Sequence, residues 1–264
     1  MTLRFTKMEG IGNDYIYLNC LEKVPEHLPE LAVRLSDRHF GVGADGLICI
    51  RPGQTGDFTM EMYNADGSRG AMCGNGIRCL GKYVYDRGLT RKTCLTIETD
   101  AGPRGLELQV QGGVVDRVTV AMGRAELRPP VEVEAGGMHW RIHPVQVGNP
   151  HGVIFCSDPS QVPLEQLGPQ LEYEPSLRER SNIEFAAPNE KGGLVVRVWE
   201  RGSGITLACG TGACACYAAG RKAGLCGAQA EITLPGGILE VEQRGEELYL
   251  TGPARAVFEG EVLD

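Results

Sequence analysis

Short runs in which apolar and polar residues alternate dominate the chain. Asp57–Asn64 (DFTMEMYN), Cys94–Asp100 (CLTIETD), Leu106–Gln111 (LELQVQ) and Val114–Met122 (VVDRVTVAM) carry the two-residue period of half-buried strands. Gly193–Glu200, Ala230–Leu234, Ile238–Gln243 and Glu246–Thr251 repeat it later. Gly112-Gly113, Gly236-Gly237 and Arg244-Gly245 stand between such runs, and turns this tight predict mostly antiparallel pairing. The period changes to a helical one over Gly74–Asp86, where Ile77, Leu80 and Val84 share a face and Arg87-Gly88 closes the run. It changes again over Gly210–Ala223, closed by Gly224, and more weakly over Leu28–Asp37 and Ser160–Leu167. Pro129-Pro130 interrupts the strand pattern and marks a candidate junction.

An internal repeat reorganises this picture. Cys73 and Cys209 lie 136 positions apart, as do Asn13 and Asn149, and Asn64 and Glu200. One Cys-Gly-x-Gly can recur by chance; a common offset across separate segments points to two copies of one unit. The expected fold is therefore α/β (of the α+β kind): two pseudo-symmetric domains, each a mostly antiparallel sheet wrapped around a central helix. The domains are placed at 1–118 plus 254–264, carrying Cys73, and at 119–253, carrying Cys209. A pseudo-twofold axis would bring equivalent loops face to face.

Composition narrows the function. The 264 residues are 42% hydrophobic and 23% charged, with a formal net charge of -8, a balance that disfavours a nucleic-acid surface. No stretch approaches the ~20 apolar residues of a membrane span, and the start, MTLRFTKMEG, lacks the apolar core of an export signal. The expected location is cytoplasmic, and the ten cysteines are expected to be thiols. Cys209, Cys214 and Cys216 lack the paired spacing of a zinc site, so no metal is expected, and no C-x-x-C signals a disulfide oxidoreductase.

The chemistry resides where thiols meet helix starts. The first backbone N–H groups of a helix lack partners and carry the positive end of its dipole. A cysteine there is expected to have its pKa lowered toward neutrality, which suits a general base. The glycines at 74, 76, 210 and 212 leave the amides open to a ligand. Two such starts make an anion site with a thiol on either side of a substrate α-carbon, one to take a proton and one to give it to the opposite face. An α-proton is a very weak acid, so the amides must also stabilise the carboxylate as it gains enolate-like charge. That arrangement dispenses with a cofactor.

KMEGIGNDYIYLN, RHFGVGADGLI, MYNADGSRGAMCGNGIRCLGKYV, QVGNPHGVIF, RSNIEF and VWERGSGITLACGTGACA, running in order from Lys7 to about Ala215, together resemble diaminopimelate epimerase. The resemblance implies cofactor-independent interconversion of LL- and meso-diaminopimelate, in lysine and peptidoglycan biosynthesis, by a homodimer with Cys73 and Cys209 as the catalytic pair. It implies substrate contacts at Asn13, Asn64, Gly74, Asn75, Asn149, Asn182, Glu200, Arg201, Gly210 and Thr211, and return of the last strand, roughly Ala254–Asp264, to the first domain. Amide and charged side chains suit a distal head bearing an ammonium and a carboxylate, the latter within reach of a bidentate arginine. One place departs from the pattern: many family members carry Gln where this chain has Gly46, so a side-chain contact is lost there and water or a neighbour must fill in. His39 and His151 also lie in these motifs; His151 is open to two readings, as a group tuning a cysteine or orienting substrate, and as a loop histidine bonded to a carbonyl.

Two rival classes stay open on the residues alone. A proline or hydroxyproline racemase, or a phenazine-type isomerase, would share the scaffold; proline-type members resemble CGHG where this chain has CGNG, and phenazine-type isomerases lack the thiol pair. A thiol peroxidase or redox sensor would use Cys73 and Cys209 as a disulfide couple. The sequence gives no sign of which cysteine serves which stereoisomer, since the two settings look alike.

Overall fold

A computed structural model describes residues 3–263. Its contacts divide the chain into two units: the first extends to Val120 and takes back the chain from Gly252, and the second is Ala121–Thr251.

In the first unit β1 (Leu3–Gly10) and β2 (Asn13–Asn19) form a hairpin. Its turn places Ile11 and Gly12 at positive φ. The helix α1 (Leu28–Ser36) follows, then β3 (Gly46–Pro52), β4 (Phe58–Asn64), a short β5 (Arg69–Gly70) and the helix α2 (Gly74–Asp86). Strands β6 (Cys94–Glu98), β7 (Arg104–Gln111) and β8 (Val114–Gly123) complete the first pass. Pairing is antiparallel except between β2 and β3 and between β4 and β6, where the chain crosses over through α1 and α2.

Helix α2 is the centre of this unit. Ile77, Leu80 and Val84 are fully buried, and so is most of the remaining helix surface. Each such side chain contributes roughly 1.5–3 kcal/mol by leaving water. Gly81 allows the close approach of β7: a Cβ there would lie 2.8 Å from Leu106 Cδ2 and 3.0 Å from Leu108 Cδ2. The opposite side of the sheet is covered by α1, whose Leu28, Leu31, Ala32 and Leu35 meet Ile16, Leu18, Leu47 and Cys49.

The second unit repeats the plan. After β9 (Glu126–Leu127) and β10 (Val131–Ala135) come β11 (Met138–Gln146), β12 (Pro150–Phe155), α3 (Leu164–Glu172), β13 (Asn182–Pro188), β14 (Leu194–Glu200) and β15 (Gly204–Thr206). Helix α4 (Gly210–Lys222) is its buried centre, followed by β16 (Gln229–Leu234), β17 (Gly237–Arg244) and β18 (Glu247–Pro253). The final strand β19 (Arg255–Val262) pairs antiparallel with β1, in the first unit. In the second unit β10 takes the corresponding place beside β11.

The 136-residue offset holds at both ends of four element pairs: α1 and α3, β3 and β13, β4 and β14, and α2 and α4. The parallel pairs recur too, as β12 with β13 and β14 with β16. Three features differ from the pattern-based expectation. The segment expected as a helix over Ser160–Leu167 is a 3-10 turn, Pro159–Gln161, followed by α3 from Leu164. Pro163 separates them, because its ring disfavours helical backbone in the residue before it. Pro129-Pro130 lies between β9 and β10, within the second unit. Strands β1, β2, β3, β12 and β13 gave no alternating signal, since both of their faces are largely buried.

Candidate active site

Each central helix begins on a cysteine. Cys73 is the N-cap of α2, with φ −129° and ψ 120°, and Cys209 is the N-cap of α4, with φ −129° and ψ 109°. Extended backbone at this position turns the side chain back over the first turn. Both sulfurs accordingly accept a backbone N–H three residues on, from Gly76 and from Gly212, each at 3.3 Å. The sulfur thus takes the place of the usual capping oxygen, and the thiol sits at the positive end of the helix dipole.

Around Cys73 stand an asparagine and a tyrosine. The thiol donates to Asn13 Oδ1 at 3.2 Å, and Asn13 Nδ2 in turn donates to Asp45 Oδ2 at 2.7 Å. Tyr15 is buried with its phenol hydrogen-bonded to Cys73 and to Asn13; burial first, and then the neighbouring sulfur, push that phenol well above its ordinary pKa. Burial also raises the Asp45 carboxyl, with Asp14 adding to it. Asn75 lies in the first turn of α2 and is almost fully buried; its Oδ1 accepts from Arg78 Nη1 at 3.0 Å. Asn64 closes the turn after β4, donating to Ser68 Oγ at 2.9 Å. Gly74 is buried at the start of α2.

Around Cys209 the partners are ionisable. Glu200, at the end of β14, is hydrogen-bonded to the thiol and accepts from the Thr206 hydroxyl; burial raises its carboxyl. Thr211 Oγ1 lies 3.6 Å from the sulfur. His151 is fully buried, with Nδ1 2.7 Å from Glu184 Oε1 and Nε2 3.0 Å from Asn149 Oδ1. Asn182 accepts the Arg201 backbone N–H at 2.8 Å, while the exposed Arg201 guanidinium donates to the Arg180 carbonyl.

Two expectations change here. Cys209 does not titrate toward neutrality: burial, then Glu200 and Glu184, push its thiol well above its ordinary value, and the Gly212 N–H only offsets part of that. The two thiol settings also differ, because Tyr15 stands where the repeat places His151 and Asn64 where it places Glu200. Glu184 is the residue that pattern reasoning missed; the RSNIEF motif contained it, but only its burial against His151 singles it out.

A family profile described as diaminopimelate epimerase matches residues 5–128 and 144–257. The chain belongs to the diaminopimelate epimerase family. It is 47% identical over 275 residues to the diaminopimelate epimerase of Acetivibrio thermocellus, covering 98% of each chain. It is 44% identical over 278 residues to that of Leptospira biflexa, covering 99% of each. Among solved structures, the fold is similar to a phenazine biosynthesis protein of the PhzF family from Bacillus anthracis, with a TM-score of 0.76 at 18% identity and full coverage of both chains. It is also similar to a hydroxyproline epimerase from Agrobacterium vitis, with a TM-score of 0.73 at 16% identity, over 99% of this chain and 91% of that one. At such identities these two likenesses speak for the diaminopimelate epimerase fold alone. Among the described residues no helix is long and apolar enough to cross a membrane, and no His, Cys, Asp and Glu group is arranged to hold a metal ion.

Proposed function

We propose that the protein is an isomerase that epimerises LL-2,6-diaminopimelate to meso-diaminopimelate without a cofactor, in the cytoplasmic supply of lysine and peptidoglycan precursors. The observation that carries this reading is the duplicated helix start, in which Cys73 and Cys209 each cap a buried helix through an N–H···Sγ bond of 3.3 Å. In the proposed reaction one sulfur, as thiolate, removes the α-proton from one face of the carbon. The other, as thiol, delivers a proton to the opposite face, and the configuration inverts. Reversal of the two roles returns the meso form to LL.

Backbone amides at Gly74, Asn75, Gly210 and Thr211 bind the reacting carboxylate and stabilise the negative charge that spreads into it as the proton leaves. Asn13, Asn64, Asn149, Asn182, Glu200 and Arg201 orient the amino-acid heads of the substrate. Arg201 pairs with a carboxylate and Glu200 with an ammonium. His151 holds the Asn149 side chain, which favours its reading as an orienting group over that of a simple loop histidine. The working form is a homodimer; β19 supports this, as it exposes Val257 and Phe258 on a strand paired to β1.

The test is conversion of LL-diaminopimelate to the meso form by purified protein without pyridoxal phosphate, beside proline and hydroxyproline controls. Conversion of diaminopimelate alone is expected. Racemisation of proline instead would move the assignment to another branch of the same fold.

A further inference from the structure

The two units fill one corresponding position in chemically opposite ways. Under the first turn of α2, a Cβ on Gly76 would lie 2.7 Å from Ile48 Cδ1; under the first turn of α4, a Cβ on Gly212 would lie 2.7 Å from Glu184 Oε1. Ile48 and Glu184 are separated by the same 136 residues as the cysteines, and both are fully buried. An aliphatic side chain therefore satisfies the packing demand, and the carboxylate answers some other one.

Burying a carboxylate is costly unless it is paired. Glu184 has one partner for Oε1, the His151 Nδ1 at 2.7 Å, while its Oε2 is buried with no hydrogen-bond partner among the described residues. It packs against Gly212, the residue whose N–H bonds Cys209 Sγ. The carboxylate is thus held close to a thiol and to a histidine on the neighbouring strand.

We infer that Glu184 is a positioning residue for the reaction: its carboxylate fixes the His151 ring with Nδ1 as the donor, and its charge keeps Cys209 in the thiol form. The inference rests on Cys209 being one of the proposed proton-transfer pair. A carboxylate at Nδ1 makes that nitrogen the donor, and Nε2, 3.0 Å from the Asn149 amide, then accepts from its NH2 group with the amide turned to present it. Negative charge beside a sulfur disfavours its thiolate. The other titratable groups around Cys209 are Glu200 on β14 and, along α4, Cys214 and Cys216. His143 on β11 neighbours Lys222 at the far end of α4, and Glu231, Glu240 and Glu242 on β16 and β17 are not buried. Glu184 and Glu200 therefore supply the negative charge near this sulfur, with His151 beside both. In the first unit the corresponding places hold Ile48 and Asn64.

The experiment follows alkylation of Cys209 by iodoacetamide as a function of pH in the full chain, read peptide by peptide by mass spectrometry. Glu184→Gln is isosteric and uncharged. It is expected to move the Cys209 midpoint down by about one pH unit, so that alkylation below the midpoint runs about tenfold faster. Cys73 alkylation is expected not to move, Glu184→Asp to keep the wild-type profile, and kcat of Glu184→Gln to fall more than KM changes. An unchanged Cys209 profile in folded Glu184→Gln would overturn the inference and leave Glu184 a packing residue. A second measurement needs no variant: nitrogen NMR of the wild-type protein should show a proton on His151 Nδ1, and an unprotonated Nδ1 would also overturn it. Both readouts are independent of turnover, so failure of the two-thiol reaction would appear separately, as epimerisation that survives replacement of Cys73 or Cys209 by alanine.

Discussion

Gly46 on β3 lies so close to the Tyr63 carbonyl that a Cβ at this position would overlap the oxygen, and it would also come within 2.9 Å of the Tyr15 ring. The space that a side chain at position 46 would enter is therefore closed by backbone and by a tyrosine. The phenol of the same Tyr15 is hydrogen-bonded to Cys73. Gly46→Gln is expected to destabilise the protein by about 1–3 kcal/mol through overpacking and to raise KM by displacing Tyr15. Urea unfolding and steady-state kinetics check this; a variant with wild-type stability would show that β3 and β4 can separate at no cost.

Tyr15→Phe removes the phenol and keeps the ring. A hydrogen bond to an ionisable group contributes about 1.5–3 kcal/mol, so a roughly tenfold or greater fall in kcat is expected with little change in folding. If kcat is unaltered, the phenol does not act on Cys73.

Arg78 links the first turn of α2 to the returning chain. Its Nη1 donates to the Gly74 carbonyl at 3.1 Å and to Asn75 Oδ1 at 3.0 Å, and its Nε donates to the Pro253 carbonyl at 3.2 Å. Lysine reaches as far but lacks the planar fork. Arg78→Lys should lose about 2–4 kcal/mol of stability by leaving buried acceptors unpaired. Denaturant unfolding at neutral pH checks it, and a loss under about 0.5 kcal/mol would mean the fork is dispensable.

Stability in acid should depend on Glu98. Backbone N–H groups of Gln54, Gly56 and Thr55 hold its carboxyl well below the usual carboxylate range, helped by the Thr55 hydroxyl. The folded value is depressed, so the stabilisation is present above the unfolded value of about 4.3 and is lost as pH falls through the folded one. Glu98→Gln should lower stability at pH 7 and flatten the decline between pH 5 and the acid limb. Equal slopes for wild type and variant in that window would contradict this.

The two helix starts are legible in the sequence because they rest on glycines and cysteines at loop-to-helix junctions, where sequence spacing maps directly onto local geometry. The Cys-Gly-x-Gly starts at 73 and 209 are such places, and α2 and α4 begin one residue later, at Gly74 and Gly210. What stayed hidden depends on contacts between distant strands. Glu184 reads as an ordinary polar position until β12 is laid parallel to β13, with His151 opposite Asn182. The unlike settings of the two thiols were hidden for the same reason. Tyr15 and Asn64 on one side, and His151 and Glu200 on the other, come together only through sheet pairing. Strands buried on both faces, such as β3, escaped because their apolar residues do not alternate.

The most direct measurement is turnover of LL-diaminopimelate in deuterated water by the wild-type protein and by Cys73→Ala and Cys209→Ala. The wild type is expected to deliver solvent deuterium to the inverted α-carbon. Each alanine variant should lose conversion to the meso form by at least about 10²–10⁴-fold, the usual contribution of a positioned acid or base. Full turnover by either variant, or inversion without incorporation of deuterium, would contradict proton transfer between two thiols.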